Sequence, residues 1–166
     1  MVDNEGFMLG HETHLYRLLF ALLFFLLCTQ LVFGSDTHKK SQFLENITPL
    51  ITWPENNKPN FSICVLNDSV FMNSLQALYT GKTFKKKPVV ISNLNQNDTP
   101  ALCDILFIGK KTEQINKLTQ TLLNKPTLTV SDMKSLANEG VMITMFEDDD
   151  RIACTINHKA AQQANI

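Results

Sequence analysis

Four cysteines, at positions 28, 64, 103 and 154, are the residues of this sequence with the most chemistry to offer, and their spacing limits what that chemistry is. None forms a Cys-x-x-Cys pair, the arrangement that activates a thiolate for disulfide exchange. The histidines, His11, His14, His38 and His158, share no metal-ligand spacing. The acidic turn Glu147-Asp148-Asp149-Asp150 lacks the alternate ligand spacing, mid-loop glycine and terminal glutamate of a calcium loop, so it reads as a solvated hairpin tip. No glycine-rich phosphate loop and no Gly-x-Ser-x-Gly elbow occurs. The sequence therefore offers no catalytic constellation, no cofactor motif and no metal site. It offers thiols and a scaffold.

What the thiols do depends on the compartment, and the N-terminal residues speak to that. Leu18 to Leu27 is an uninterrupted apolar run directly after Arg17, and it is ten residues long. Crossing a bilayer as a helix takes about 20 apolar residues, so the run is read as the core of a secretory signal. Val32 and Gly34 suit a cut between Gly34 and Ser35, which assigns residues 1–34 to the signal peptide and 35–166 to the exported domain. An uncleaved anchor is the competing reading. Lipid attachment at Cys28 is disfavoured by the bulky Leu27 before it.

Export leaves Cys64, Cys103 and Cys154, an odd number, for which one bridge and one free thiol is the natural partition. Cys64 and Cys103 are 39 residues apart, and a bridge between them would add about 4 kcal/mol in the loop-entropy description. Cys154 alternates with Ile152 and Ile156 on one strand face and is expected to be a buried, inert thiol. The four Asn-x-Ser/Thr sequons, at Asn46, Asn60, Asn67 and Asn97, are treated as chance matches.

The elements that must position these residues follow from periodicity. Phe43, Leu44, Ile47, Leu50 and Ile51 predict an amphipathic helix over Lys39 to Thr52, ended by Trp53-Pro54. Phe61 to Leu66 is a continuous apolar run that suits a central strand carrying Cys64. Asn67 or Asp68 then caps a helix to about Tyr79 with Val70, Phe71, Leu75 and Leu78 inside. Lys85-Lys86-Lys87 reads as a solvated loop leading to a strand at Pro88 to Ser92, and Ile105 to Ile108 forms the next. Both strands read as buried on two faces.

A helix from Thr112 to Leu123, a strand at Thr127 to Val130 and a helix ending near Gly140 follow. Val141 to Phe146 and Arg151 to Ile156 flank the acidic turn as a β-hairpin, and Asn157 caps a last helix to about Ala164. Alternating strands and helices define a single α/β domain: a mostly parallel central sheet, helices on its faces and a C-terminal antiparallel hairpin. A net charge of −1 and 44% hydrophobic content suit one folded domain and give no electrostatic footprint for nucleic acid.

Several stretches, in this order, carry a resemblance: Trp53-Pro54, Cys64-Val65-Leu66, Cys103-Asp104-Ile105-Leu106-Phe107-Ile108, Pro126 to Asp132, Gly140-Val141-Met142-Ile143 and Ile156-Asn157 with Ala160-Ala161. Together they resemble the YfiR-like family of bacterial periplasmic proteins over about Lys39 to Ile166. The resemblance implies a non-enzymatic regulator that binds the periplasmic sensor domain of an inner-membrane diguanylate cyclase and represses it. Cyclic-di-GMP signalling and biofilm formation would respond. It also implies a homodimer and a disulfide between Cys64 and Cys103, with Cys154 left free. The second disulfide of some members has no counterpart between Lys134 and Phe146, and the family's longer C-terminal helix is not matched before Ile166. The alternative is a periplasmic small-molecule-binding module, since open α/β sheets bind ligands at the carboxyl ends of their strands. Here those ends are Asn67-Asp68, Ser92-Asn93, Gly109-Lys110 and Ser131-Asp132.

Overall fold

In the computed structural model, Arg17 and residues 35–95, 98 and 100–166 are described. The proposed signal segment, 1–34, therefore lies outside the described residues apart from Arg17. Residues 37–166 form one compact unit. Its seven-stranded sheet has the order β2-β3-β1-β4-β5-β6-β7. The strands are β1 (Phe61–Leu66), β2 (Thr83–Phe84), β3 (Lys87–Leu94), β4 (Ile105–Ile108), β5 (Leu128–Ser131), β6 (Ile143–Asp148) and β7 (Arg151–Ile156). The five strands from β3 to β6 are parallel neighbours, and the edge strands β2 and β7 run antiparallel.

The alternation of side chains along the central strands builds two cores. Ile63, Val65, Ile105, Phe107, Leu128 and Val130 face one layer, and Cys64, Leu66, Leu106 and Ile108 face the other. The first layer is covered by α1 (Ser35–Ile47), with Leu44, and by α2 (Ser69–Tyr79), with Phe71, Leu75 and Tyr79. Phe71 stacks on Phe107 with ring centroids 3.9 Å apart. The second layer is covered by α3 (Ile115–Thr121) and the 3-10 turn Lys134–Glu139 through Ile115, Leu122 and Leu136. A short α4 (His158–Gln163) precedes Ala164, which joins the first core. Burying each such large apolar side chain contributes about 1.5–3 kcal/mol, so the two-sided packing of β4 makes it the most deeply anchored strand.

Several local expectations are corrected. Val70 is 63% exposed, because the buried stripe of α2 runs Phe71, Leu75, Tyr79 at helical spacing and leaves its first turn outside. The helix expected from Thr112 is only α3, because Gln114 takes a left-handed φ of 54° and ends the helix N-terminally. Beyond Asp132 the chain forms a 3-10 turn, not an α-helix, closed by Gly140 at φ 90°. β3 is not buried on both faces: only the two residues of β2 lie outside it, and Val90 is exposed. Lys85-Lys86 is exposed and leads into β3, as expected, but the connection is a tight turn. Both residues have positive φ, 50° and 65°, and form the two-residue turn of the β2–β3 hairpin.

Candidate functional site

At one corner of the sheet β1, β4 and β5 are tied together by Cys103 and Asp104. A 3-10 turn at Pro100–Leu102 presents Cys103, whose amide donates to the Pro100 carbonyl at 3.1 Å. Cys103 is joined to Cys64 by a disulfide with a Cα separation of 5.9 Å, a spacing ordinary for such a bridge. Asp104 then grips Ser62 twice: its amide donates to the Ser62 carbonyl and its Oδ2 accepts from the Ser62 amide, each at 2.8 Å. Its other oxygen accepts from Lys58 Nζ at 3.0 Å, and Lys58 also donates to the Leu102 carbonyl. Thr127 Oγ1 donates to the Cys103 carbonyl at 2.9 Å, and the Leu128 amide to that of Asp104 at 2.8 Å.

This corner cannot exchange thiols as it stands. Cys64 and Cys103 are 4% and 2% exposed, so an attacking thiolate has no approach to either sulfur without opening the fold. Cys154 is the free cysteine among the described residues. It is half-buried, not fully buried as expected, because β7 is an edge strand with only one side packed on the first core. Burial still pushes its thiol pKa up, away from the reactive range.

The carboxyl ends of the strands form the second place to look. The order β3-β1-β4-β5-β6 reverses direction at β1, so β1 and β4 flank the position where such sheets commonly open a ligand crevice. Here the two strand ends are closed on each other. The Gly109 amide donates to the Leu66 carbonyl at 2.8 Å, and a Cβ on Gly109 would lie 2.7 Å from the Asn67 carbonyl oxygen. Asp68 is occupied as the α2 cap, accepting from the Phe71 amide at 2.9 Å, and Asn67 Nδ2 reaches Thr112 Oγ1. Ser92 and Asn93 are not at a strand end at all, since β3 continues to Leu94 and pairs them with Cys64 and Val65.

Asp132, 8% exposed in its side chain, sits between Lys40 Nζ at 3.0 Å and Lys110 Nζ at 3.2 Å. The Ser131 hydroxyl donates to the Ile108 carbonyl at 2.7 Å. Both lysines meet Asp132 Oδ2, while Oδ1 is buried without a hydrogen-bond partner among the described residues, so the polar groups at this end are only partly committed to one another. A shallow cleft elsewhere, between α3 and α4, lined by Thr119, Leu122, Thr129, Gly140, Met142 and Ala164, offers a cavity of only about 20 Å³, far below the usual range for ligand pockets. Among the described residues no group of three or more His, Cys, Asp or Glu side chains could hold a metal ion.

The signals for Asp104 and Lys58 were not legible beforehand. Asp104 stood next to Cys103 in a matched motif, but its partner is a backbone amide 42 residues earlier.

The fold and this corner define a class: an α/β domain with a bridged, mostly parallel sheet whose charged groups serve the scaffold. The sequence profile of the YfiR/HmsC-like family matches residues 37–166. The chain belongs to that family, which is periplasmic, is regulatory rather than catalytic, and acts in diguanylate cyclase signalling. None of the curated proteins matches the chain.

Proposed function

We propose that this protein is a periplasmic repressor that binds the outer sensor domain of an inner-membrane diguanylate cyclase and lowers its output, acting as a homodimer. Residues 1–34 serve as its export signal. The observation that carries the reading is the family match across the whole of residues 37–166. The bridge between Cys64 and Cys103 keeps the sheet rigid in an oxidising compartment, where a regulator that presents a fixed surface benefits from it.

Deleting the gene is expected to raise cellular cyclic-di-GMP, and the purified exported protein is expected to bind the sensor domain of a cyclase from the same cell. Unchanged cyclic-di-GMP together with no binding to any periplasmic sensor domain would overturn the proposal.

A further inference from the structure

The outer edge of β7 carries unspent interaction capacity. Its phase is fixed by the hairpin that forms it. Asp149 and Asp150, with φ of 42° and 62°, make a two-residue turn, and Asp148 faces Arg151 across it. In such a hairpin the pair that closes the turn is hydrogen-bonded, and bonded pairs then alternate along the ladder. The Asn157 amide, in the same phase as Arg151, donates to the Met142 carbonyl at 2.7 Å. Arg151, Ala153 and Thr155 therefore direct their backbone groups to β6, and Ile152, Cys154 and Ile156 direct theirs outward. β7 is terminal in the sheet order, and nothing among the described residues pairs with that edge. It has no proline and no inward charge to blunt it, and Ile156 is 47% exposed.

We infer that this edge pairs with the same edge of a second copy, antiparallel about a two-fold axis at Cys154, to give a sheet continuous across two protomers. Two-fold pairing that keeps each core on its own side of the sheet must set residues of equal parity opposite each other. Centring on Cys154 lets the outward N–H and C=O groups of Ile152, Cys154 and Ile156 all find partners. Ile152 then lies against the partner's Ile156, which covers that exposed side chain. Centring on Ala153 would instead set Asp150 against the partner's Ile156.

Charge favours the same register. The edge is acidic at one end, where Asp148, Asp149 and Asp150 are exposed and Lys39 reaches only Asp150, at 3.6 Å, of the three, and basic at the other, where Lys159 is exposed beside His158. Antiparallel pairing lays the acidic turn of each copy beside His158 and Lys159 of the other, at both ends of the interface. The inference rests on the homodimer of the repressor reading and goes beyond it by assigning the dimer a surface and a register.

The test is sedimentation equilibrium of the purified exported protein. It is expected to be a dimer. Cys154→Pro removes an amide that points to solvent and leaves the β6 ladder whole, so it is expected to give a folded monomer by circular dichroism. Asp149→Lys, a residue type already tolerated in the equivalent turn at Lys85-Lys86, is expected to weaken dimerisation about tenfold, and Lys159→Glu in the same chain to restore it. A monomeric native protein would overturn the inference. So would a dimer that neither Cys154→Pro nor Asp149→Lys weakens, even if cyclase binding is intact.

Discussion

Asp104 and Ser62 hold each other by two hydrogen bonds of 2.8 Å, one through the Asp104 amide and one through its carboxylate. The Asp104 side chain is 4% exposed, and its second oxygen is met by Lys58. A buried acceptor facing a backbone N–H is costly to lose, because the amide is left without a partner. Asp104→Ala is expected to lower stability by about 2–3 kcal/mol, read as a fall in the urea midpoint at unchanged slope. Asp104→Asn can still accept from Ser62 through its one carbonyl oxygen but turns an NH2 toward the Lys58 ammonium, so it keeps the backbone contact, loses the Lys58 one, and is expected to cost less than Asp104→Ala. Equal losses in the two variants would show that the Ser62 contact is not what the carboxylate contributes.

The neighbouring bridge closes a loop between positions 39 apart. Chain entropy makes that worth about 4 kcal/mol, and replacing both residues in Cys64→Ser with Cys103→Ser is expected to shift the urea midpoint accordingly. Burial of both sulfurs adds a kinetic expectation. A reductant should cleave the bridge far more slowly in the native protein than in denaturant, and thiol titration of the unfolded, unreduced exported protein should find a single free thiol, Cys154. Three thiols would show that the bridge does not form.

Continuous apolar runs made the core legible in advance. Phe61–Leu66 and Ile105–Ile108 needed no tertiary information, because only strands covered on both faces can spend so many β-branched and aromatic residues together. The hairpin of β6 and β7 was legible from its acidic break. What escaped was governed by backbone conformation or by long-range partners. Lys85-Lys86 carries none of the Asn-Gly signature of its turn type, so nothing in the sequence announced the β2–β3 hairpin. Gln114 enters a left-handed conformation that its residue type rarely adopts, which cut α3 short. The disulfide pairing was carried by family resemblance, and the Lys58 and Asp104 contacts depended on which distant strand lay beside them.

Gly109 sits where the end of β4 runs close against the end of β1. A methyl there would fall 2.7 Å from the Asn67 carbonyl oxygen, 2.8 Å from the Leu66 carbonyl oxygen and 2.8 Å from Asp68 Cβ. Two of these are backbone atoms, which cannot swing aside. Gly109→Ala is expected to destabilise the domain by about 2 kcal/mol through forced separation of β1 and β4, seen in thermal unfolding. An unchanged midpoint would mean that the two strand ends part easily.

Tyr79 supplies the pH-dependent prediction. The residue is buried at the end of α2, and its hydroxyl lies near the Thr48 side chain without making a hydrogen bond of good geometry. Burial pushes its pKa up to about 12, against the lowering influence of Thr48 and with a smaller raising one from Glu45. In the unfolded chain the phenol ionises near pH 10. Below that value it is neutral in both states and the full stability is present. Between about pH 10 and 12 the unfolded state loses the proton first, so stability falls as pH rises, by about 2–3 kcal/mol for a shift of this size. Tyr79→Phe is expected to remove that alkaline slope. At pH 7 it should be neutral or mildly stabilising, since it deletes a buried hydroxyl that gains nothing from its surroundings. Urea unfolding of both proteins across the alkaline range decides the point: identical slopes would show that the phenol ionises as readily folded as unfolded.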